Sequence, residues 1–142
     1  MTFKSQLFEA RRVCLAPIDH EKDPEIAARW SQDAGYLRML DTRPARPTPP
    51  ALMKNQFEAL EKRMEQEKNL FYFTIHQRGD TSPNGLEQKD PYNLIGFVKL
   101  YSIEWTNGTG FLQIGIGDER ARGKGLGGEA LELILRLSLI HI

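Results

Sequence analysis

Arg122-Gly123-Lys124-Gly125-Leu126-Gly127-Gly128 stands between an apolar strand pattern, Phe111 to Ile116, and an apolar helix pattern that opens at Leu126. Its reading decides that of the whole chain. Glycines let the backbone come close to a ligand. A helix starting here turns unpaired N–H groups and the positive end of its dipole toward whatever lies in front. Arg122 and Lys124 add local positive charge. The combination predicts a phosphate cradle rather than a plain connector.

Working outward, Asn107-Gly108 is a strong hairpin signal leading into Phe111-Leu112-Gln113-Ile114-Gly115-Ile116. Leu94 to Tyr101 is nearly continuous apolar sequence, as a central strand requires, so the two form an antiparallel pair. Leu70 to His76 alternates in strand fashion, with Phe71, Phe73 and Ile75 on one face. Val13-Cys14-Leu15-Ala16-Pro17 reads as a short first strand ended by proline. Asp23-Pro24 opens a helix. Ile26, Trp30, Leu37 and Leu40 then recur at helical intervals over two short helices broken near Gly35. A proline-rich link, Pro44 to Pro50, precedes a third helix with Met53, Phe57, Leu60 and Met64 as its inner stripe. Leu126, Ala130, Leu133, Ile134 and Leu137 form the packing face of the last. Arg78 to Tyr92 is polar and rich in turn residues, and reads as an exposed loop.

The chain has 142 residues, 19 basic and 19 acidic side chains, a formal net charge of +0 and one cysteine. That is enough for one domain, residues 1–142, with a real core. Balanced charge argues against a nucleic-acid surface or a polybasic membrane patch, so anion binding must be local. No leader pattern or membrane-spanning apolar stretch is visible, and the lone cysteine suits a reducing compartment; a cytoplasmic protein is expected. His20, His76 and His141 share no ligand spacing, so no metal site is expected. Cys14 reads as a small buried apolar residue, and Trp30 and Trp105 as residues that pack or line a pocket.

The glycine stretch admits three parses. Gly123, Gly125 and Gly128 satisfy the dinucleotide-binding spacing, which needs a strand running directly into the turn and an acidic second strand later; neither is present. A Walker loop needs Ser or Thr after its lysine, whereas Lys124 is followed by Gly125. The third parse is Arg122-x-x-Gly125-x-Gly127, opening a helix after a strand and a short charged linker. With Ile95-Gly96-Phe97, Ile114-Gly115-Ile116-Gly117 and Glu129-Ala130-Leu131, it resembles the GCN5-related N-acetyltransferases. Leu15-Ala16-Pro17 and the helix from Glu25 to Trp30 are similar to the ribosomal-protein alanine acetyltransferase branch.

The resemblance implies an α+β fold of the three-layer type: a mixed, mainly antiparallel sheet flanked by helices. The chain would then lack the family's C-terminal strands, and with them the usual thiolate-protonating tyrosine. It also implies acetyl-coenzyme A as cofactor, its pyrophosphate on Arg122, Gly123, Lys124, Gly125, Gly127 and Gly128. The pantetheine arm would lie beside Ile116 and Gly117. Arg120 is a further cation within reach. The implied reaction is direct attack by a primary amine on the thioester, with a small-molecule amine or a protein N-terminus as acceptor. Family members often place a glutamate where Gln113 stands. Gln113 cannot act as a base; it either orients a water or substrate or is an outward polar residue. Glu104, at the hairpin, is the nearest remaining candidate for the catalytic carboxylate. Glu25, Asp33 and Asp41 would favour a cationic acceptor if they clustered at the cleft. The alternative, motivated by Gln113, is a non-catalytic module that binds coenzyme A or another phosphate ligand.

Overall fold

The computed structural model describes residues 8–40, 47–78 and 93–141. The loop expected over Arg78 to Tyr92 therefore lies outside the described residues from position 79 onward. So do Asp41 and positions 44–46 of the proline-rich link.

Four strands form one sheet in the order β1 (Val13–Ala16), β2 (Phe71–Gln77), β3 (Leu94–Glu104) and β4 (Thr109–Ile116), each antiparallel to the next. Register divides the two faces. Phe97 lies opposite Thr74 and Gly115, and Lys99 opposite Tyr72 and Gln113, so these six share one face; Phe73, Val98 and Ile114 share the other. The first face is covered by α1 (Asp23–Trp30), α2 (Ala34–Leu40) and α3 (Pro50–Glu67), and the second by α4 (Leu126–His141). This is the expected helix–sheet–helix layering.

The five residues expected on the packing face of α4 are all buried there, with Ala130 fully inaccessible and Leu137 5% exposed. They join Val13, Leu15, Ile75, Ile95 and Val98 in the main core. Each such large side chain contributes about 1.5–3 kcal/mol on burial, which holds the N-terminus of α4 in place beside the sheet.

Local chemistry fixes where the chain turns. The break between α1 and α2 falls at Ser31-Gln32-Asp33, and Gly35 lies inside the first turn of α2. Ser31 Oγ donates to Ala28 O at 2.6 Å, and Asp33 Oδ1 accepts from Tyr36 N at 3.2 Å, so Asp33 caps the second helix. The β3–β4 hairpin signalled by Asn107-Gly108 turns over four residues, 105–108. Asn107 N and Gly108 N donate to Glu104 O at 3.1 and 2.8 Å, and Ser102, at φ 51°, marks a bulge just before it.

Candidate active site

β4 is an edge strand among the described residues, and the glycine stretch follows it after a connection of residues 117–121. Gly117 N and Asp118 N both donate to Ile95 O, at 2.8 and 3.1 Å, pinning the exit from the strand. Asp118 Oδ1 accepts from Arg120 N at 3.0 Å and caps a 3₁₀ turn, Glu119–Ala121, whose Ala121 plugs into the core. The backbone then turns through Gly123 at φ 75° and Gly125 at φ 77°, values that a side chain would strain. The first helical bond of α4 runs from Glu129 N to Gly125 O at 3.2 Å. The N–H groups of Leu126, Gly127 and Gly128 therefore precede any helical acceptor. A Cβ built on Gly123 or Gly128 would meet nothing within 4 Å, so this side of the loop is open.

Arg122 faces inward. Its Nε donates to Ile116 O at 2.8 Å, and its Nη2 to Asp33 Oδ2 at 2.9 Å and Gly117 O at 3.2 Å. The guanidinium also lies 5.6 Å from the centre of the Tyr36 ring. It ties the end of β4 to the cap of α2. The backbone N–H of Tyr36 and then Arg122 hold the Asp33 carboxyl below the usual range. Lys124 and Arg120 point to solvent; Arg120 also meets Asp118 at 3.5 Å.

Arg12, immediately before β1, was not nominated by its sequence context. Its backbone N–H donates to Glu129 Oε1 at 2.9 Å, its Nε pairs with Glu129 Oε2, and its Nη1 donates to Lys124 O at 2.8 Å. These contacts join residues more than a hundred positions apart, a relation no local pattern reports.

Beside the loop, Gly96 and Gly115 in the strands and Gly117 just after β4 allow close packing. A Cβ on Gly96 would collide with Gly115 O, and one on Gly117 with the Trp30 indole. A Cβ on Gly115 would lie 2.6 Å from Phe97 Cε1, 2.8 Å from Leu40 Cδ2 and 3.1 Å from Tyr36 Oη. Those same three side chains help to line a cavity of about 230 Å³ between the sheet and helices α1 to α3, with Trp30, Phe57 and Tyr72. Its polar contributors are Ser31, Thr48 and Gln56. Burial raises the phenols of Tyr36 and Tyr72 far above their ordinary range, so both are neutral donors. Gln113 Nε2 donates to Leu40 O at 2.7 Å, which gives this side chain an anchoring contact to the end of α2.

Glu104 is not brought to the loop. It stands at the opposite end of β4, exposed, with its Oε2 accepting from Asn107 Nδ2 at 2.8 Å. Glu25 pairs with Arg29 along α1, and Asp33 with Arg122, so these two acids do not cluster. Cys14 is half-buried and free, its thiol pushed up by burial. Among the described residues no group of three or more His, Cys, Asp or Glu could hold a metal, and no helix is long and apolar enough to cross a membrane.

Comparison with known proteins agrees with this fold. The family model described as an acetyltransferase (GNAT) domain matches residues 12–140. No curated protein matches the sequence. A candidate ribosomal-protein-serine acetyltransferase from Vibrio cholerae superposes with a TM-score of 0.70 at 16% identity, over 94% of this chain and 67% of that one. RimL, a ribosomal-protein α-N-acetyltransferase solved with coenzyme A, gives 0.67 at 12% identity over 90% and 64%. The microcin C7 self-immunity acetyltransferase MccE, solved with acetyl-CoA and AMP, gives 0.67 at 15% over 90% and 63%. The chain thus spans about two thirds of the length of the structures it matches.

Proposed function

The chain belongs to the acetyltransferase (GNAT) domain family, and on that premise we propose that residues 1–142 form one domain that uses acetyl-coenzyme A to acetylate an amine. The observation that carries this reading is the open glycine loop, with its unbonded N–H groups, at the end of an edge strand. Acetyl-coenzyme A would supply an acetyl group activated as a thioester, open to attack by an unprotonated amine. The N–H groups from Gly123 to Gly128 and the N-terminus of α4 suit its pyrophosphate. Arg122 acts by holding the loop against β4 and α2. Lys124 is the exposed cation on the same loop. Ile116 and Gly117 offer the outer edge of β4 to the pantetheine arm, in the manner of an added strand.

The aromatic cavity beside Gly115 suits the acceptor. Its described lining holds no charged side chain, so it favours an amine with an apolar substituent over a polyamine. The solved relatives named for ribosomal-protein acetylation support a protein N-terminus as one such acceptor. Glu104, at the far end of the hairpin, has no part in this scheme. A free thiol at Cys14 is compatible with the cytoplasm as the place of action.

Thiol release tests the proposal, with the chain incubated with acetyl-coenzyme A and, in turn, phenethylamine, an alanine-terminated peptide and spermidine. Release above the amine-free rate, faster with the first two, is expected. Binding of the cofactor with no release for any amine would instead favour the non-catalytic module.

A further inference from the structure

We propose that Arg12 is a positioning residue for the anion cradle: it neutralises Glu129 and holds the Lys124 carbonyl, so that neither opposes a bound anion. The inference rests on the cofactor reading above. Glu129 lies in the first turn of α4 and is only 18% exposed in its side chain. A carboxylate there stabilises the helix dipole but repels any phosphate bound in front of the same N-terminus. Arg12 resolves the conflict by occupying both oxygens of Glu129, through its backbone N–H and its Nε. Its Nη1 meanwhile donates to Lys124 O at 2.8 Å, fixing the peptide between the two left-handed glycines. Its Nη2 lies 3.3 Å from where a Cβ on Gly125 would stand, so the guanidinium packs against the loop itself. One side chain thereby sets both the charge and the orientation of the cradle. It is anchored from the sheet: the Arg12 carbonyl accepts from Arg78 N at 2.8 Å, and β1 begins at the next residue.

The test compares the unaltered chain with Arg12→Ala, Glu129→Gln and the double variant. Isothermal titration with coenzyme A should show binding weakened about tenfold in Arg12→Ala, the size expected when a carboxylate near a bound anion loses its partner. Glu129→Gln alone should change it by less than about threefold, and the double variant should recover most of the loss. In turnover, Arg12→Ala should raise KM for acetyl-coenzyme A and leave KM for the amine unmoved. A double variant as weak as Arg12→Ala, or an Arg12→Ala that binds normally, overturns the proposal. Backbone ¹⁵N relaxation of the free protein supplies a readout independent of ligand. Amides from Gly123 to Gly128 should fall from an order parameter of about 0.85 to below about 0.6 in Arg12→Ala, while those of Ile75 and Val98 stay rigid. An unchanged loop refutes the positioning role. If the unaltered chain binds no coenzyme A, the cofactor reading fails separately, and the relaxation result still decides the role of Arg12.

Discussion

Replacing Gly117 by alanine adds one methyl group at the junction of β4 and the glycine loop. The backbone there is not left-handed, so any cost must be steric. The new Cβ would fall well under 3.0 Å from Trp30 Cγ, Cδ2 and Cε3, atoms of the rigid indole rather than of a flexible tip. Trp30 cannot simply swing away: its ring packs edge-on to Tyr36 at 6.0 Å, and Tyr36 is buried. Gly117 cannot retreat either, because its N–H is bonded to Ile95 O and its carbonyl to Arg122. Overpacking of this kind costs about 1–3 kcal/mol. For a chain of this size that corresponds to a loss of roughly 3 to 12 °C in melting temperature. Circular dichroism melts of Gly117→Ala, Trp30→Ala and the pair form the assay. The two changes should couple by at least about 1 kcal/mol, since removing the indole makes room for the methyl. A Gly117→Ala protein melting within roughly 1 °C of the parent would refute the packing assigned here.

Gly123→Ala reverses the balance: nothing lies near the new methyl, but the positive φ should cost about 1 kcal/mol, read as a lower urea midpoint with unchanged slope. Asp33 contributes through a carboxyl held low by the Tyr36 N–H and Arg122. Its stabilisation is present above the unfolded carboxylate range and lost as pH falls through the folded value; Arg122→Ala should shrink that acid-side loss in urea titrations run at several pH values. Asp23 has the opposite sign. Fully buried with one oxygen unpartnered, its carboxyl is pushed up to about 6, mainly by desolvation, so its contribution is full below the unfolded value near 3.8 and lost as pH rises through 6. Asp23→Asn should flatten the stability profile between those limits, and an unchanged slope would contradict the assignment.

What the amino-acid sequence made legible was whatever repeats locally. The inner face of α4 follows from a 3.6-residue period, and the central pair of strands from an apolar run and a hairpin signal; each is built from neighbours along the chain. The helix break expected near Gly35 falls at Ser31-Gln32-Asp33, where the Ser31 hydroxyl and the Asp33 carboxylate cap the two helix ends. The site was less legible, since its contacts are long-range. Arg12 with Glu129, Arg122 with Asp33 and Gln113 with Leu40 are pairings that only the finished fold creates. At Gly96, Gly115 and Gly117 the neighbouring backbone or side chains explain the absent side chain, a reason that no local pattern carries.

Thermal unfolding of the chain with acetyl-coenzyme A, against NAD at equal concentration, tests most directly whether the glycine loop is a coenzyme A site. At a hundredfold excess over its dissociation constant a ligand stabilises by about 2.7 kcal/mol, which moves the melting point by several degrees. A rise with acetyl-coenzyme A and none with NAD is the predicted result. A cooperative melt that neither ligand moves, or that NAD moves equally, would contradict the account.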